Sequence, residues 1–168
     1  MLGFGSKLKT SVGDVQVFKK SVPLAQAGDN VGVLLRGMKL EVIQKGMMLC
    51  EFGSEKISNR FEAKIYFLSK AEGGRWKPIT SKYIQQIFSR TWNISCRIDI
   101  KAPQTMIMPG EHGMVELTLL KSMIMTMGQQ FTVRENNITV GTGIITKVLD
   151  DIYISKSLGK LKIDNTSQ

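Results

Sequence analysis

Between residues 61 and 67 the chain alternates strictly, with Phe61, Ala63, Ile65 and Phe67 separated by Glu62, Lys64 and Tyr66. Successive side chains of an extended backbone point to opposite faces, so this pattern makes a strand with one buried face. The strand is followed by Gly73-Gly74 and a basic segment, RWKP. Other short apolar runs recur between turn signals at Gly28-Asp29-Asn30, Arg36-Gly37, Lys45-Gly46, Pro109-Gly110, Met127-Gly128 and Asn136-Asn137. That spacing predicts an all-β barrel or sandwich and leaves little room for helices. Residues 31–35 read as a continuous buried strand, and Val115, Leu117 and Leu119 alternate with Glu116 and Thr118. Residues 133–146 read as a hairpin, because Asn136-Asn137 tolerates the positive φ of a tight turn. The one helical turn expected spans 39–44.

At 168 residues and 42% hydrophobic content the chain is large enough for one domain or two small ones with a closed core. Lys and Arg number 23 against 14 acids, a formal charge of +9 that suits a polyanionic partner such as RNA. Cys50 and Cys96 form no CxxC pair, and His112 would be only a third ligand, so zinc is not expected and both thiols read as buried. No apolar run approaches the ~20 residues that span a bilayer. The first residues, MLGFGSKLKTSVGD, match neither a secretory signal nor a mitochondrial presequence.

Gly and Ser interrupt the apolar pattern at 52–59, which divides the chain into an incomplete unit at 1–56, a complete barrel at 57–152 and a loose basic tail at 153–168.

With AGDNVGVLLRG at 27–37, FEAKIYFLSKAEGGRWKP at 61–78, MPGEHGMVELTLL at 108–120 and FTVRENNITVGTGIITKVL at 131–149, the sequence resembles translation elongation factor Tu over residues 8–150. The segment Thr91-Trp92-Asn93-Ile94-Ser95-Cys96-Arg97 looks like the mitochondrial branch, which implies a matrix location. The resemblance implies the family's C-terminal antiparallel β-barrel, preceded by part of its second β-barrel. It also implies a truncated or partial form of a factor that delivers aminoacyl-tRNA to the ribosome with GTP, with elongation factor Ts as a further partner. A GTPase of this kind needs GxxxxGK[ST], and neither that loop nor NKxD occurs in the 168 residues, so no DxxG switch is expected to work here. No catalytic residue and no cofactor are therefore expected in this chain, GTP and magnesium belonging to the GTPase domain of the family. A standalone paralogue acting as a binding module is the alternative. An enzyme built on Cys50 or Cys96 with His112 would lack an orienting carboxylate.

The resemblance also assigns residues. Asn30 matches an asparagine near the esterified amino acid, although it reads equally as a turn former beside Gly28. Gln16 stands where the family has a glutamate against the terminal ribose, and Lys19 where it has an arginine. Gln86, Ser95, Glu135 and Asn136 align with positions that contact the tRNA T-stem. Trp76 replaces a histidine and Ile138 an arginine in that region. Arg90 joins Lys70, Arg75, Lys77 and Lys82 in a cluster that reads either as an RNA contact or as a solvated face. Gly73, Gly74 and Thr132 match the surface that docks the GTPase domain.

Overall fold

The computed structural model describes residues 1–154 and Leu158. The strands in chain order are β1 (Leu2–Gly3), β2 (Ser6–Lys7), β3 (Ser11–Val17), β4 (Lys20–Ser21), β5 (Gly32–Arg36), β6 (Ser58–Phe67), β7 (Ile79–Thr80), β8 (Tyr83–Ser89), β9 (Trp92–Ile100), β10 (Met106–Ile107), β11 (His112–Met123), β12 (Gln130–Glu135) and β13 (Ile138–Val148). Six of them close an antiparallel barrel in the order β11-β6-β13-β12-β8-β9. The alternation of residues 61–67 becomes the inward face of β6: Phe61, Ala63, Ile65 and Phe67 are fully buried. Val115, Leu117 and Leu119 on β11 and Phe131 and Val133 on β12 fill the same interior. β6 pairs with β11 on one side and β13 on the other, so neither of its edges is left open.

Turn chemistry explains the hairpins. Asn136 and Asn137 both take left-handed φ, at 48° and 66°, and join β12 to β13. The helical turn expected at 39–44 is a 3-10 turn at Leu40–Val42, and a second spans Lys70–Glu72.

The N-terminal part holds a three-stranded sheet, β4-β3-β5, and the small β1-β2 hairpin. Its ties to the barrel include the hairpin, where the Phe4 amide donates to Met123 Sδ at 2.9 Å and the Gly5 amide to the Ser122 carbonyl at 2.8 Å, and Gly46, where a Cβ would stand 2.5 Å from Trp92 Cβ. Residues 31–35 depart from the continuous buried strand expected of them. β5 alternates between exposed and half-buried, with Val31 and Leu34 exposed, because it pairs only with β3 and no described layer covers its faces. Cys96 is buried, whereas Cys50 is only half-buried, since it lies in the connection before β6 and outside the barrel wall. Burial pushes the Cys96 thiol far above its ordinary range.

After β13 the chain folds back on the barrel. Asp151 Oδ1 accepts from the Asn59 amide at 2.8 Å and from Ser122 Oγ at 2.9 Å, while the Asn59 side chain bonds both the amide and the carbonyl of Ile152. The basic tail expected at 153–168 lies outside the described residues except for Tyr153, Ile154 and Leu158.

Candidate functional site

The outer faces of β8 and β9 carry two of the residues assigned to RNA, Gln86 and Ser95, beside Arg134 of β12. Register places Gln86 of β8 opposite Ser95 of β9 and Arg134 of β12, so the three side chains form one row across three strands. Gln86 Nε2 donates to Ser95 Oγ at 2.9 Å, and Asn93 Nδ2 donates to Gln86 Oε1 at 3.3 Å. Arg134 lies with its guanidinium carbon 5.2 Å from the Phe88 ring centroid and donates to the Asn137 carbonyl at 2.7 Å. It thereby steadies the Asn136-Asn137 turn. Arg134 and Asn93 escaped the sequence reading, although Arg134 falls two residues after Thr132 on the same face of an alternating strand.

Glu135 ends β12 and is held inside a three-membered cluster. Arg75 Nη1 donates to Glu135 Oε2 at 2.7 Å and to the Tyr83 hydroxyl at 2.6 Å, and that hydroxyl donates to Glu135 Oε2 at 3.2 Å. Arg75 is thus a structural ion-pair partner and not a free cation of the basic cluster. Burial, partly opposed by Arg75 and helped by Glu135, pushes the Tyr83 phenol up to about 12. Because the folded state holds this proton more tightly, its contribution is complete below the ordinary phenol value near 10 and is lost as pH rises through about 12. Urea melts between pH 9 and 12 are expected to fall more steeply for the native chain than for Tyr83→Phe. Parallel curves would show that the phenol is not buried in this cluster.

The other assigned residues fall elsewhere. Arg90 occupies the β8–β9 turn with a φ of 50°, beside Gln130 and thus at the opposite end of β12 from Glu135. It lines a groove of about 240 Å³ with Phe88, Gln130 and Thr132, so it is grouped with Thr132 and not with Gln86. Thr132 lies in the next outer row, opposite Phe88 and Thr142. Gly73 ends the 3-10 turn in the left-handed region, with a φ of 82°, and a Cβ on Gly74 would meet the Leu68 carbonyl oxygen at 2.2 Å. Both glycines are therefore required by the turn itself, whatever docks there.

Gln16 lies on the three-stranded sheet, and Lys19 and Asn30 lie in the connections beside it. Gln16 Nε2 is taken up by Asp14 Oδ2 at 2.7 Å, and hydrogen bonds from Gln16 and Ser21 hold the Asp14 carboxyl below its usual range. Lys19 has a φ of 66° in the β3–β4 turn. Asn30 is exposed just before β5. The turn it was thought to shape is closed instead by Asp29, whose carboxylate accepts from the Gln26 amide at 2.8 Å.

A family model described as the elongation factor Tu C-terminal domain matches residues 54–149. The chain belongs to that family. The match spans every barrel strand, from β6 to β13, and the closed six-stranded antiparallel barrel agrees with it. The elongation factor Tu C-terminal domain makes this chain a translation elongation factor-related part, with partners in the translation machinery. Among the described residues no helix is long and apolar enough to cross a membrane, and no group of three or more His, Cys, Asp or Glu side chains is placed to hold a metal ion.

Proposed function

We propose that this chain is the C-terminal part of a mitochondrial elongation factor Tu, supplying contacts to the tRNA backbone and a docking surface for the GTPase domain, with no catalysis of its own. The observation that carries the reading is the polar row Ser95–Gln86–Arg134, which ends at the Asn136-Asn137 turn and gives one outer face of the barrel uncharged donors beside a cation. Such groups position a nucleic-acid backbone without reading sequence. GTP has no place in this step. The P-loop of a GTPase domain opens a helix, and the described helices are two turns of three residues each. Aminoacyl-tRNA, the ribosome and elongation factor Ts are the partners this reading names.

Filter binding of tRNA across salt tests it. A surface with about three phosphate contacts loses roughly 40-fold in affinity between 50 and 200 mM salt. Ile138, which sits opposite Glu135 and is 54% exposed, offers no cation, so Ile138→Arg is expected to strengthen low-salt binding and steepen the log–log slope by about one. Charged and uncharged tRNA are expected to bind about equally, because the amino-acid pocket of the family needs a wall from the GTPase domain. Strong preference for charged tRNA, or an unchanged slope in Ile138→Arg, would show that the face has another role. The exposure of Ile138 and Trp76 favours one second reading, a standalone RNA- or protein-binding module without elongation activity, and its protein-binding form predicts no salt-dependent tRNA binding.

A further inference from the structure

Trp76 lies in a bend that its neighbour pins. Arg75 Nε donates back to the Lys77 carbonyl at 3.3 Å, while Arg75 Nη1 is fixed by Tyr83 and Glu135. The Arg75 guanidinium carbon also lies 4.9 Å from the Tyr83 ring centroid. One arginine therefore fastens residues 75–77 to β8 and β12, and the indole projects from a fixed base. That indole is 70% exposed, which is unusual for the largest side chain of the set. The Lys77 ammonium lies over it at 4.8 Å from the ring, so a cation is in place beside an aromatic surface still open to water. Ile138, across from Glu135, adds a second exposed apolar side chain where a phosphate ligand would need a donor.

An exposed indole on an anchored backbone, with an ammonium beside it, is poorly suited to a duplex backbone and well suited to the π-face of an unpaired base, with Lys77 meeting the neighbouring phosphate. We propose that Trp76 stacks on an unpaired nucleobase, so that this end of the barrel engages a looped or single-stranded nucleotide next to the RNA stem laid along Gln86 and Ser95. The proposal rests on the reading of this face as an RNA contact. It adds a base contact to a surface otherwise made of backbone-positioning groups.

Fluorescence separates the two. The chain has two tryptophans, and Trp92 is only 5% exposed, so solvent-sensitive emission belongs to Trp76. The full chain is titrated at low salt with an RNA stem-loop carrying an adenosine-rich loop, with the same stem as a blunt duplex, and with polyphosphate. Quenching by the stem-loop alone is expected. Trp76→Ala and Trp76→Leu are each expected to weaken stem-loop binding about tenfold and duplex binding less than twofold. Unchanged stem-loop affinity in both variants, or equal quenching by polyphosphate, would overturn stacking even if duplex binding keeps its salt slope. If neither RNA binds the native chain at low salt, the RNA-contact reading fails and the stacking proposal with it.

Discussion

Phe61→Ala is expected to lower the unfolding free energy by about 3–5 kcal/mol, the range for removing a buried phenylalanine and leaving a cavity. Phe61 is 0% exposed and stands on β6 between Leu117 of β11 and Val148 of β13. The barrel wall on both sides is backbone-paired, so the strands cannot close in over the void. Domains of this size are typically stable by about 5–15 kcal/mol, so the loss removes a large share of the total. Urea titration followed by circular dichroism measures the loss. Phe18→Ala is the control, since Phe18 is 94% exposed and its removal should change stability by less than about 0.5 kcal/mol. Equal effects at the two positions would mean that the interior is not packed around β6.

Gly143→Val should be nearly as damaging, by the opposite mechanism. Gly143 lies in register with Ile65 and Phe131, and a Cβ there would stand 2.6 Å from the Lys64 carbonyl oxygen and 2.6 Å from Phe131 Cζ. The glycine leaves the space that the Phe131 ring fills. A valine must displace either a paired backbone or a buried ring, at a cost of about 3 kcal/mol or more. Thermal melts of the variant and of Gly143→Val combined with Phe131→Leu distinguish the causes. Partial recovery in the double variant is expected, and no loss in the single one would show that β13 is not packed against Phe131.

The barrel was legible because its strands announce themselves by alternation. Residues 61–67, Val115 to Leu119 and the Asn136-Asn137 turn all carry period-two or positive-φ signals that depend on local sequence alone. Residues 31–35 misled, because an apolar run reports the preference for burial and not whether a covering layer is present. The site was harder for a different reason. That Gln86 faces Ser95 and Arg134 is fixed by register among three strands, which no single segment encodes. Arg75 counted as a surface cation until its partner, Glu135, was brought to it from the far end of β12. Arg90 likewise looked like a neighbour of Gln86 in sequence, and the strand that separates them carries it to the other end of the sheet.

The pairing of β6 with both β11 and β13 has a consequence for biosynthesis. The first strand of the barrel to be translated finds one of its two neighbours only when the last has been made. Until residues 138–148 clear the ribosomal exit tunnel, β6 presents an unpaired edge and its row of phenylalanine and isoleucine to the cell. Closure of the barrel is thus deferred until β13 has emerged, and contacts so distant along the chain make it slow. During that interval the open edge of β6 is a template on which other chains can pair.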